Sequence, residues 1–242
     1  MKRCYFLVFV MYMCPGLLSA ADVSAPDDLS LFENNYAHIQ FGRIKANQYD
    51  FDSRVLKTEV DSSASFLMKA FDSVRPVKQV SFKWRSDGSP NVKDANHEKQ
   101  KGGDDAVVKL GLLLKSENTI DNPFLPKWMR QVKSILNYPS ENMIYLVAGS
   151  KHAAGEQWPN PYNHRVTMVA MSSADIESKL ESKIDGEYEE GWQQASYRFG
   201  EAVEVVAVWL MADGDNTGSS FTSYVKDIKL DQVATADNNV RK

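Results

Sequence analysis

Short apolar runs separated by polar, turn-rich stretches dominate the chain. Val80, Phe82 and Trp84 alternate with Ser81, Lys83 and Arg85. That period of two predicts a strand with one buried face. Residues 106–114, 142–148, 166–171 and 203–211 are apolar at nearly every position. Short runs that are apolar on both faces suit central strands of a covered sheet. Residues 224–230 predict a last, weaker strand. Two stretches carry helical spacing instead. In 126–136, Trp128, Met129, Val132, Ile135 and Leu136 follow Pro123 and Pro126, which predicts a short helix. In 173–183, Ser173 can cap, Asp175 and Glu177 fall in the first turn, and Ile176, Leu180 and Ile184 form a narrow stripe. The polar stretches 86–104, 116–126 and 149–164 read as long loops. Together these patterns predict a mainly β protein: a two-sheet antiparallel β-sandwich, jelly-roll-like, with one or two short accessory helices.

One apolar run belongs to a different pattern. Residues 4–18 follow Lys2 and Arg3 and end at Ser19-Ala20-Ala21. Basic start, apolar stretch and small residues predict a secretory signal peptide over 1–21. A lead-in over 22–35, a single sandwich domain over 36–232 and a disordered tail over 233–242 follow. The expected location is exported, either periplasmic or secreted. The apolar run is short for a spanning helix, which needs about 20 residues, so no membrane span is expected once the signal is removed.

Composition sharpens this picture. Both cysteines, Cys4 and Cys14, fall in the predicted signal. The mature chain then has none, which excludes disulfides, cysteine catalysis and thiolate metal sites for it. Loss of Lys2 and Arg3 takes the formal net charge from −4 to −6. With a pI near 5.6 for the whole chain, a nucleic-acid partner is not expected.

Candidate chemistry lies in two places. Asp213, Asp215 and Thr217 stand at positions one, three and five of a calcium-type loop, with Gly218 at six. Position twelve is Tyr224 where an EF-hand needs a bidentate Glu, so an EF-hand is excluded. Two readings stay open there: a tight turn, for which Asp, Asn and Gly are suited, and a different calcium site on Asp213, Asp215 and Thr217. Asp104 and Asp105 open a strand and point to opposite faces. One reading buries one of them against Arg85 or Arg198 as a structural ion pair. The other joins Asp104 or Asp105 to Asp213 or Asp215 as the carboxylates of a polysaccharide hydrolase or lyase. In the loop 149–164 and just after it, Trp158, Tyr162, Asn160 and Arg165 combine aromatic faces with amide and guanidinium donors, as a sugar ligand requires. The rival reading is a loop pinned by its own aromatics. His38, His97, His152 and His164 are scattered, with neither a His-Glu-x-x-His nor a Gly-x-Ser-x-Gly motif.

Several fragments also carry a family likeness. These are Ser62-Ser63-Ala64-Ser65-Phe66-Leu67, Phe82-Lys83-Trp84-Arg85, Gly103-Asp104-Asp105-Ala106-Val107-Val108, Ile144-Tyr145-Leu146-Val147, Asn160-Pro161, Phe199-Gly200 and Asp213-Gly214-Asp215-Asn216-Thr217-Gly218. In this order they resemble a family of exported bacterial proteins catalogued as domain of unknown function 3047. The likeness runs from about Gln48 to Leu230. Ser196 before Tyr197-Arg198, where the family often has an acidic residue, departs from it, and the helical look of 174–192 suggests an insertion. The resemblance implies a secreted β-sandwich and assigns no activity. The leading expectation is therefore an exported, non-catalytic β-sandwich that binds a glycan or cell-envelope polymer. The alternatives are the carboxylate enzyme and an envelope structural or assembly protein.

Overall fold

A computed structural model describes residues 27–31, 35–52, 54–118, 124–175 and 191–233. The expected signal peptide, most of the lead-in, residues 176–184 of the second predicted helical stretch and the tail beyond Val233 lie outside the described residues. The strands are β1 (Asp27–Leu29), β2 (Ala37–Gln40), β3 (Gln48–Asp52), β4 (Val55–Asp61), β5 (Ala64–Asp87), β6 (Ala106–Lys115), β7 (Ser140–Ala148), β8 (Gln157–Pro159), β9 (Val166–Ala170), β10 (Ser172–Asp175), β11 (Gln193–Asp213) and β12 (Ser220–Gln232). Among the described residues two helices, α1 (Ala95–Glu98) and α2 (Lys127–Ile135), lie between them. The mainly β expectation and the helix near 126–136 are thus met.

The strands form one sheet with the order β3-β4-β12-β5-β11-β6-β7-β9-β8, and β1, β10 and β2 add to β12, β11 and β5. Two separate antiparallel sheets were expected; the chain instead builds a single mixed sheet, in which β7 and β9 run parallel. The reason is the length of two strands. β5 spans 24 residues and β11 spans 21, far beyond the common strand length of roughly 3–10 residues. The first part of β5 pairs with the last part of β11, beside β2 and β6. The last part of β5 pairs with the first part of β11, beside β12. Register shifts at Arg198/Val203 and Val205/Ala207 mark the passage between these blocks. Bulges of this kind bend a strand without ending it.

A second correction concerns Ser173 and Asp175. They lie in β10, which pairs with Gln193–Ser196 of β11. Their capping chemistry is real but weak, and the open edge of β11 offers the same backbone a ladder of hydrogen bonds.

Alternation along β11 divides two cores. Val208, Leu210 and Ala212 join Phe82, Trp84, Leu110, Leu146 and Ile228 in one cluster. Trp209 and Met211 join Phe66, Met68, Met143, Tyr145 and Met168 in the other. Burial on both faces explains why this run has no polar side. Trp84 and Gly149 belong to different blocks, yet a Cβ on Gly149 would stand 3.0 Å from the Trp84 ring. The blocks therefore touch across the first cluster. The second cluster is covered by Phe41 and Ile44 and by the Trp128, Val132 and Ile135 face of α2.

Gly111 of β6 lies opposite Trp209. A Cβ there would fall 2.1 Å from the indole Nε1, so the indole occupies the space a side chain would need. Gly111→Ala is expected to destabilise the fold by about 1–3 kcal/mol or more, as overpacking of a dense core does. Urea unfolding checks this.

Candidate functional site

The antiparallel register of β6 and β11 sets Ala106 opposite Asp213. It therefore brings the residues before β6, Asp104 and Asp105, to the end of β11 and the turn that follows. Asp104, Asp105 and Asp213 are all buried. Lys109, the one charged residue inside β6's apolar run, is buried with them at 2% exposure. Its ammonium donates to Asp213 Oδ2 at 2.8 Å and to the Asp104 carbonyl at 2.5 Å. Asp104 Oδ1 stands 3.4 Å away, an ion pair without hydrogen-bond geometry.

Asp105 serves the turn. Its Oδ2 accepts from the Thr217 N–H at 2.7 Å and the Thr217 hydroxyl at 2.6 Å. Its Oδ1 accepts from the Asn216 N–H at 3.3 Å and the Asn216 amide at 3.1 Å. Gly218 closes the turn at φ +62°, a left-handed conformation that favours glycine. Thr217, placed among candidate metal ligands by spacing, gives its hydroxyl to Asp105 and shares a 2.6 Å bond with Ser219.

The four aspartates expected to carry chemistry do converge. One carboxylate oxygen each from Asp105, Asp213 and Asp215 lie within 4.8 Å of one another, and Asp104 joins through Lys109. Their electrostatics follow from burial. Loss of water pushes the Asp213 carboxyl well above the ordinary carboxylate range; Lys109 opposes this, while Asp105 and Asp215 push the same way. Asp104 is raised for the same first reason, against Lys109 and Asn160. Burial alone would lower Lys109, but Asp104 and Asp213 outweigh it and hold the ammonium above its usual value. A buried cation among several carboxylates stays charged.

Arg85 and Arg198 are not the partners of these acids. Arg85 lies over the Tyr224 ring at 4.0 Å, and Arg198 donates to Gln79 Oε1 at 3.2 Å. The partner is Lys109, which sequence reasoning passed over. The signal was present: a lone lysine in a run that is otherwise buried on both faces must find a counter-charge.

The loop residues divide. Asn160 is buried, donates to Asp104 Oδ2 at 3.1 Å, and accepts from the N–H groups of Tyr162 and Asn163. Tyr162 is 56% exposed, and its hydroxyl bonds to Asn216 and to the Lys101 carbonyl. Together they fasten the loop to the acidic turn. Trp158 is buried and stacks on His152 with ring centroids 4.0 Å apart. Arg165 pairs with Glu141 at 3.3 Å. The described structure thus brings Asn160 and Tyr162 to the carboxylates and leaves Trp158 and Arg165 elsewhere. A cavity of about 100 Å³ borders Asp105, lined also by Trp84, Glu98, Gly149 and Lys151. Ligand pockets commonly run to roughly 300–1,000 Å³, so this one is too small for a sugar ring with its neighbours.

A larger groove of about 310 Å³ opens elsewhere, between α2 and the outer face of the sheet. Leu113, Met143, Val166 and Trp209 form its floor, Trp128, Met129 and Val132 its helix wall, and Asn137, Asn142 and Asn163 part of its rim. Sequence reasoning saw the apolar stripe of α2 but not the gap beneath it. No residue of α2 is fully buried, because the helix covers the sheet incompletely.

The fold and its centre define a class of mainly β protein: one bent, mixed sheet with an acidic turn at the end of β11, held by Asp105 beside a buried lysine that pairs with Asp213. The chain belongs to the family described as protein of unknown function (DUF3047), whose model matches residues 34–229. This agrees with the resemblance carried by the motifs from Ser62 to Gly218. No curated protein matches the chain. Among the described residues, no helix is long and apolar enough to cross a membrane.

Proposed function

We propose that this protein is an exported, non-catalytic binding protein whose ligand is a cell-envelope molecule bearing an apolar chain, held in the groove beneath α2. The observation that carries the reading is the groove itself. It has the volume of a ligand site, a floor and helix wall of apolar and aromatic side chains, and amides at the rim, the composition that small-molecule sites favour. An apolar chain would replace the packing that α2 lacks, and the rim amides would meet a polar head. The contact of Trp84 with Gly149 supports reading the bent sheet as a sandwich folded from one sheet, a rigid frame for such a groove.

The buried carboxylates support a binding protein over a hydrolase or lyase. General acid–base work needs a group within hydrogen-bond reach of substrate, and Asp104, Asp105 and Asp213 are each at most 5% exposed. A glycan ligand would have to rely chiefly on Tyr162, the member of the loop set whose ring is exposed.

Titration with lauric acid, followed by the fluorescence of Trp128 and Trp209, tests the proposal. A saturable change is expected. Val132→Glu should weaken it at least roughly tenfold with the melting transition retained, because a charge left in an apolar groove costs more than about 1.4 kcal/mol. No saturable change, or one that Val132→Glu leaves intact, would sink the reading.

A further inference from the structure

We infer that Asp213 and Asp215, with the charge of Asp105 behind them, form a divalent-cation site, and that calcium is the ion it fits. Two independent observations meet here. The first is spacing. Carboxylate oxygens of Asp105, Asp213 and Asp215 lie within 4.8 Å of one another. That is close enough for the three charges to act on one cation. An all-oxygen set on a turn, with part of its shell left to water, suits calcium, which takes six to eight oxygens at about 2.3–2.6 Å in flexible geometry, better than magnesium with its near-ideal octahedron. The second is an orphan. Asp213 is 3% exposed, and while its Oδ2 accepts from Lys109, its Oδ1 is buried without a hydrogen-bond partner. A carboxylate oxygen cut off from both water and donors is rare and costly.

The neighbours of that oxygen do not relieve it. Asp215 faces Asp213 closely enough to push its carboxyl further up. Lys109 is one positive charge against the carboxylates of Asp104, Asp105, Asp213 and Asp215. Asp105 has already given both oxygens to the donors of Asn216 and Thr217, so it supplies charge more than a free lone pair. What the group lacks is positive charge at Asp213 Oδ1, since Lys109 engages only Oδ2. A divalent cation bound by Asp213 Oδ1 and Asp215 supplies it and keeps the outer part of its shell in water, since Asp215 is only half-buried. Asp215 Oδ1 also accepts from Asn216 at 3.2 Å, which holds that carboxylate in place. The ion would thus join the last residue of β11 to the turn.

The test uses the full-length chain, calcium alone, and terbium as a luminescent stand-in. Calcium in about hundredfold excess over its Kd should raise the melting temperature by roughly 5 °C or more, and chelator should reverse the shift. Terbium luminescence excited through Tyr162, whose hydroxyl bonds to Asn216, should appear and be displaced by calcium. Asp215→Asn should abolish both responses; the residue is half-buried and anchors no strand, so this variant should fold, whereas Asp213→Asn could fail by unpairing Lys109. An unchanged calcium response in Asp215→Asn would place the ion elsewhere and overturn the inference. No response to calcium, with a melting temperature that instead rises as pH falls toward the carboxylate range, would assign the pair a shared proton and overturn it equally.

Discussion

Lys109→Met is expected to cost about 3–5 kcal/mol of folding stability, the range for removing one partner from a buried ion pair. The lysine is 2% exposed and bonds to Asp213 and to the Asp104 backbone. Methionine fills much of the same volume, so the loss would be electrostatic rather than a cavity effect. It leaves Asp104 and Asp213 buried with no cation. At this chain length, 1 kcal/mol moves the melting temperature by about 2–4 °C, so a fall of roughly 6–20 °C should be seen. Adding Asp213→Asn to Lys109→Met should recover part of the loss, because the second substitution removes a carboxylate that the first stranded. Urea unfolding of the wild type, both single variants and the double variant measures the coupling. A Lys109→Met cost below about 1 kcal/mol would mean that the ammonium does not balance the acids.

Asp105→Ala is expected to cost about 2–4 kcal/mol, through the turn rather than the core. Hydrogen bonds to a charged group contribute about 1.5–3 kcal/mol each when they can be lost outright. Asp105 accepts four, of which the backbone N–H groups of Asn216 and Thr217 have no rotamer by which to seek another partner. Relief of repulsion between Asp105 and Asp213 offsets part of the loss, which keeps the expected total below a simple sum. Hydrogen exchange at the Asn216 and Thr217 amides should accelerate far more than exchange in β6. Slow exchange at both amides in the variant would show that the turn holds itself.

These expectations rest on contacts of two kinds, and the sequence disclosed them unequally. The apolar runs of β6, β7 and β11 announced buried strands because a covered strand must be apolar on both faces. Trp209 could be placed in the core for the same reason, Trp84 by the period of two in its strand, and α2 by its spacing. The Asp213–Gly218 motif showed its turn chemistry in its own residues. Its partner Asp105 was named as a candidate, but nothing local said that its carboxylate would cap that turn across 111 residues of chain.

What the sequence by itself determined is whatever depends on local period and on transfer from water. That covers the mainly β class, the buried runs, the helix at 127–135 and a small set of acids worth watching. Tertiary structure alone decided the rest. Period two fixes which face a residue takes but not which strand lies beside it, so two separate sheets and one sheet bent through β5 and β11 write the same pattern. Ser173 and Asp175 carry helix-start chemistry, yet an open strand edge claimed them. Lys109 rather than Arg85 or Arg198 meets the acids because β6 and β11 are neighbours in register, and register is a property of the packed sheet. The groove under α2 is empty space, which no residue encodes by itself; it exists only where a helix and a sheet fail to close on one another.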